Sequence, residues 1–167
     1  MKKLLALFVV VLGFSAVSFA QSTATATASA TIIGPISLTK VTDMNFGNIA
    51  VGTLGGTVVL APAGGRTATT VTLPAVIGTV SAATFTVSGV GSSTYAITLP
   101  TGDYTITRLT GSETMTVNTF TSTPSATGTL AGGTQTLAVG ATLNVTGSQV
   151  AGTYTNAVGF PVTVNYN

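Results

Sequence analysis

The sequence predicts an all-β domain on three observations. Apolar and polar residues alternate at period two, Val, Ile, Thr, Tyr and Phe recur between closely spaced Gly and Pro, and no apolar repeat is sustained at helical spacing with caps. Successive side chains of a strand point to opposite faces, so period two sets one apolar row against a core and one polar row in water. Runs of this kind fall at 57–61, 68–76, 83–88, 94–99, 104–109, 114–121, 134–139 and 142–146. The clearest comes last: Tyr154, Val158, Phe160, Val162, Val164 and Tyr166 share one side, while Thr155, Thr163 and Asn165 take the other. Gly159 and Pro161 sit on the polar side of this run. Because proline has no N–H to give a ladder, a bend or a sheet edge is expected there.

Turn chemistry separates the runs. Gly64-Gly65, Gly89-Val90-Gly91, Pro100-Thr101-Gly102 and Gly132-Gly133 supply the positive or fixed φ that reverses a chain. Many short strands at nearly regular spacing mean a sandwich or a barrel, and no linker divides them into two domains. A membrane barrel fits poorly: its strands need about 9–11 residues each, with aromatic girdles. These runs are mostly shorter, and the loops carry almost no charge.

Residues 1–20 read as an export signal. Lys2 and Lys3 form a basic start, 4–17 an apolar stretch broken only by Gly13 and Ser15, and Ser18-Phe19-Ala20 a small-residue cleavage site. A lipid anchor needs a cysteine, and the sequence has none. The product is expected to begin at Gln21, with no membrane span after cleavage, in the periplasm, at the cell surface or outside the cell.

Removal of the signal leaves Lys40, Arg66 and Arg108 against Asp43, Asp103 and Glu113, a net charge of zero. Three scattered cations cannot track a phosphate backbone, which excludes nucleic acid as a partner. The 147 residues that remain of 167 suffice for one domain with its own core. Absence of Cys and His removes disulfides, thiolate chemistry and the commonest metal ligands, so stability must come from packing. Low charge also means weak mutual repulsion, hence a surface inclined to associate with itself or a matrix.

The segment 21–33 alternates too, with Ala24, Ala26, Ala28, Ala30 and Ile32 on one face and Thr23, Thr25, Thr27, Ser29, Thr31 and Ile33 on the other. It reads as a first strand of the domain's own sheet or a low-complexity tail. It reads also as an extension that inserts into a neighbouring subunit, although alanines bury little area each.

Chemistry is sparse. Asp43, Asp103 and Glu113 are the available acids and bases, each isolated in sequence, with Asp103 following an evident turn. Lys40 alternates with Ile36 and Leu38, which sets its stem along an apolar face with the ammonium in water. Gly89-Val90-Gly91 lacks the third glycine and helix of a phosphate loop, and Asn144-Val145-Thr146 is a chance sequon. Thr-x-Thr pairs such as Thr67 and Thr69 follow no fixed period. Tyr95, Tyr104, Tyr154 and Tyr166 could stack on sugars, but each lies in or beside an apolar alternation and reads as packing. No catalytic, cofactor-binding or metal-binding residue is assigned, and no enzyme is expected.

Several segments, taken in order, carry a resemblance: Asp43-Met44-Asn45-Phe46-Gly47-Asn48-Ile49, Phe85-Thr86-Val87-Ser88-Gly89 and Tyr95-Ala96-Ile97-Thr98-Leu99-Pro100. Gly132-Gly133-Thr134, Leu137-Ala138-Val139-Gly140-Ala141-Thr142-Leu143 and the closing Val162-Thr163-Val164-Asn165-Tyr166 complete the set. Together they resemble the bacterial family catalogued as domain of unknown function 4402, across essentially everything after the signal. The resemblance implies an immunoglobulin-like antiparallel β-sandwich, distantly similar to fimbrial and spore-coat-U-type subunits. It supplies no catalytic residue, and the cysteine pairs of many fimbrial subunits are absent here. The expected role is an exported structural or adhesive surface protein, in its sharpest form a fimbria-like subunit that meets itself or other surface subunits. The alternative is a secreted monomeric binding module for a glycan or protein ligand.

Overall fold

The computed structural model describes residues 21–167; the signal expected at 1–20 lies outside the described residues. From Ser37 the chain runs through β1 (Ser37–Thr42), β2 (Asn45–Phe46), β3 (Gly56–Leu60), β4 (Arg66–Thr69), β5 (Val80–Ser81), β6 (Ala83–Ser88) and β7 (Thr94–Thr98). There follow β8 (Tyr104–Arg108), β9 (Thr114–Thr123), β10 (Thr127–Thr129), β11 (Thr134–Val145), β12 (Tyr154–Thr155) and β13 (Thr163–Tyr166). All pairings are antiparallel. The larger sheet runs β1-β6-β11-β9-β8-β12, with β3 also on β11 and β4 on β3; a second runs β10-β7-β13, and β2 pairs with β5.

The long strand β11 organises this arrangement. Its first half pairs with β6, from Thr134↔Ser88 to Val139↔Ala83, and its second half with β3, from Ala141↔Leu60 to Val145↔Gly56. The pairing with β9, from Ala138 to Asn144, occupies its other edge. The change of partner falls at Gly140, where a side chain would overlap the Leu60 carbonyl oxygen and lie 2.8 Å from Pro62 N. Glycine is therefore needed for close backbone approach, not for a turn. Runs 134–139 and 142–146, read from sequence as two strands, are one strand that switches neighbours.

Alternate residues of β11 feed two cores. Leu137 and Val139 pack with Ala83, Val87, Tyr95, Leu130 and Val164, so the β10-β7-β13 sheet faces β6 and β11 across a common interior. Ala141, Leu143 and Val145 pack with Phe46, Val58, Leu60, Val71 and Val117. This is an all-β antiparallel sandwich, the class expected from the sequence.

The strand β9 serves both cores through a bulge. Its register on β11 slips between Gly140 and Thr142, and Thr119 adopts φ 51°. One extra residue reverses the parity of the faces. Met115 and Val117 point inward before the slip, and Phe120 after it, where it packs against both cores. Phe120 meets Tyr104 edge-on at 5.6 Å and Phe160 at 4.8 Å between ring centroids.

Two further sequence expectations need correction. The run 68–76 ends as a strand at Thr69, because Thr70 takes φ 70° and turns the chain out of the ladder. The closing run is not one strand. Tyr154 and Thr155 pair with β8, Asn156 Oδ1 accepts the Val158 and Gly159 N–H groups in a turn, and Val158 is 95% exposed, not inward. The alternation resumes at Phe160 and enters β13. The segment 21–33 forms no strand in this chain, and every residue from 21 to 35 is exposed.

Candidate functional site

The three carboxylates occupy separate places, each with a partner. Asp43 follows β1 and lies 2.6 Å from Lys40 Nζ, both side chains largely in water. Asp103 Oδ1 accepts from Asn118 Nδ2 at 2.9 Å, and Asn118 Oδ1 in turn accepts from Asn144 Nδ2 at 3.0 Å. Glu113 Oε2 is 2.7 Å from Arg108 Nε. Asp103 precedes β8 and Glu113 follows it, so the five-residue strand holds them about 16 Å apart. The fold thus keeps Asp103 and Glu113 apart, and Asp43 is engaged with Lys40.

The tyrosines are likewise engaged. Tyr95 is fully buried, and its hydroxyl donates to Gln135 Oε1 at 2.6 Å, the same oxygen that takes the Thr129 N–H. Burial pushes the Tyr95 phenol above its ordinary range. Tyr104 belongs to the aromatic trio with Phe120 and Phe160. Tyr154 Oη donates to the Val150 carbonyl at 2.6 Å, and Tyr166 Oη accepts the Val90 N–H at 2.8 Å. They sit on different strands and form no common stacking groove. An open trough on β8 and β12, lined by Thr105, Thr107, Arg108 and Asn156 among others, contains no aromatic side chain.

What the fold leaves unused is backbone. An edge strand presents unpaired N–H and C=O groups, and natural sheets guard such edges with charge, brevity or bulges. The edge strand β1 carries Lys40 and a register irregularity between Lys40 and Thr42. Arg66 opens β4, and β10 and β12 have three and two residues. Strand β13, of four residues, carries neither a charge nor a bulge. It pairs with β7 from Thr163↔Thr98 to Tyr166↔Tyr95, and no charged residue occurs anywhere in 154–167. Pro161 lies just before the ladder, where the sequence predicted a bend or a sheet edge.

Alternation of the ladder shows which groups are free. Asn167 N donates to Thr94 O, which makes Thr163, Asn165 and Asn167 the residues bonded to β7. The N–H and C=O of Val162, Val164 and Tyr166 therefore face away from β7. The side chains of these three share the inward face. Val164 is buried, whereas Val162, Tyr166 and Phe160 are half-covered, as are Ile36 and Leu38 on the chain leading into and through β1. On the opposite flank, beside β10, Leu130 closes the same core at 1% exposure. The β13 flank is the less finished side of the sandwich. Sequence reading named the alternating residues here but not their free backbone groups, because partner identity on a ladder is not written in local periodicity.

A family model described as Domain of unknown function (DUF4402) matches residues 36–166. No curated protein matches the chain.

Proposed function

The chain belongs to the DUF4402 family, and from that premise we propose that it is an exported structural or adhesive protein of the cell surface, in its finer form a fimbria-like subunit. The observation that carries the reading is the free, uncharged edge of β13 on a sandwich whose few charges are mostly paired with one another. Exposed ladder groups favour contact with another strand, and low net charge removes the repulsion that keeps copies apart. The basic and apolar pattern of 1–20 supports export. The test is fractionation of the host cell, combined with protease treatment of intact cells and immunoblotting. A chain beginning at Gln21, found in the envelope or medium and cleaved from outside, is the expected result. A full-length chain confined to the cytoplasm overturns the reading.

A further inference from the structure

We propose that the segment 21–33 of one molecule pairs with the free edge of β13 of a second copy and extends the β10-β7-β13 sheet by one strand. The inference deepens the surface-subunit reading and rests on it for its setting.

Donor and acceptor match in four respects. The segment is a strand in composition without a partner: Thr or Ser alternates with Ala from Thr23 to Thr31, and 21–35 are exposed throughout, with Ile32 at 94%. The β13 edge is a ladder without a second partner, offering the N–H and C=O of Val162, Val164 and Tyr166. Length also fits. At about 3.3 Å per residue, 23–33 spans roughly 35 Å, more than the roughly 20 Å of Phe160 to Tyr166. Neither partner carries a charged side chain, since 21–39 and 154–167 contain no Asp, Glu, Lys or Arg.

The alanine face suits this flank. Residues directly opposite on paired strands share a face, so one row of the incoming strand lies beside Val162, Val164 and Tyr166 and reaches over the half-covered core. Tyr166 is half-buried on this face, its hydroxyl held by Val90 N–H and 3.4 Å from the Gly34 carbonyl oxygen. Methyl groups at Ala24, Ala26, Ala28 and Ala30 need less room beside these half-covered residues than larger side chains would. The hydroxyl side chains of the other row meet water.

The occupant is a second copy, because every molecule brings both an alternating Thr/Ala segment that joins no ladder and a β13 edge that bonds on one side only. Donor and acceptor are different surfaces, so the contact is head-to-tail and propagates into open chains unless the rotation closes a ring.

The test uses purified protein and is independent of where the protein resides, so its failure and a failure of the surface reading are distinguishable. Residues 34–167 hold both cores and form a compact unit with Ile33, so a chain beginning at Gly34 keeps the sandwich. Light scattering across a concentration series is expected to give growing oligomers for the chain beginning at Gln21. The chain beginning at Gly34 is expected to stay monomeric with an unchanged thermal midpoint. Ala26→Asp with Ala28→Asp should abolish the oligomers, whereas Thr25→Asp with Thr27→Asp should retain them. The sequence has no cysteine, so Thr27→Cys and Asn165→Cys, with Thr25 and Ser29 as alternative donor positions, report the pairing as a disulfide. Oxidation of a mixture of the single variants should give a covalent dimer. Oligomers that survive the deletion, a chain from Gln21 that is monomeric throughout, or a disulfide formed only within one chain carrying both cysteines would each overturn the proposal.

Discussion

The two halves of the sandwich share β11 but are covered differently. Over Leu137 and Val139 the lid is a sheet, β10-β7-β13, whose regular ladder ends in an edge. Over Leu143 and Val145 the lid is mostly irregular: Phe46 of the two-residue β2, Val71 and the half-buried Ile49, Val51, Leu73 and Val80. Irregular chain has carbonyls that no ladder satisfies. Arg66 supplies donors for them, giving Nη1 to Phe46 O and Asn48 O and Nη2 to Ile77 O. A sheet closes a core but exports an unsatisfied edge, whereas loops tied to a guanidinium close it without one. The association surface is expected on the first kind of half for that reason.

The largest effect shows whether the two halves unfold together. Leu137→Ala in one core and Leu143→Ala in the other each remove a side chain at or below 2% exposure. Each should lower stability by about 2–5 kcal/mol. Because β11 runs through both cores, a single denaturant transition is expected for either variant, coincident by circular dichroism and tyrosine fluorescence. Two separated transitions would mean that the halves are distinct units and that β11 does not couple them.

A smaller effect tests the loop-covered half alone. Replacing Arg66 by Met keeps the stem and removes the donors, leaving the Phe46 and Asn48 carbonyls to find water or stay bare, while the Ile77 oxygen keeps the Asn48 N–H. The expected loss is about 1–3 kcal/mol in chemical denaturation. Arg66→Lys should recover only part of it, since a compact ammonium cannot reproduce a planar fork across three acceptors. Neither variant should alter oligomer formation, because β13 lies in the other half. If Arg66→Met abolished oligomers while the sandwich stayed folded, the separation of closure from association would be wrong.

How far the sequence told these halves apart follows from what sets a strand. Where side chains alternate against a flat partner, as in Ala83–Ser88 and Thr94–Thr98, periodicity located the strand to within a residue. Where backbone geometry intervenes, periodicity misled. Gly140 suggested a break but is a site of close approach, and the bulge at Thr119 reversed the faces of β9 with no compositional signal. The loop-covered core was nearly illegible. Its key residue, Arg66, is an ordinary surface residue by composition, and the carbonyls it serves come from 46, 48 and 77. The candidate edge was half legible: Pro161 announced it, but the freedom of Val164 and Tyr166 depends on which strand β7 accepts on each side.

The smallest expected effect concerns acid. Arg108 and Glu113 close the β8–β9 hairpin beside the loop-covered core, with Nε to Oε2 at 2.7 Å and Nη2 to Oε1 at 3.3 Å. The hydrogen bond from Arg108 holds the Glu113 carboxyl below its ordinary value, aided by local backbone N–H groups and by the guanidinium charge. A carboxylate with a depressed folded pKa adds stability that is fully present above its unfolded value, about 4.3, and is lost as pH falls through the folded value. The thermal midpoint of Glu113→Gln should therefore lie slightly below that of the parent above about pH 5 and converge on it in stronger acid. The two proteins differ at this one position, so the difference between the two pH curves isolates Glu113. The pair is only partly covered, and added salt should narrow the gap. Curves that stay parallel from neutral pH into acid would show that the hairpin is held by its ladder and the Tyr104 and Ile106 packing alone.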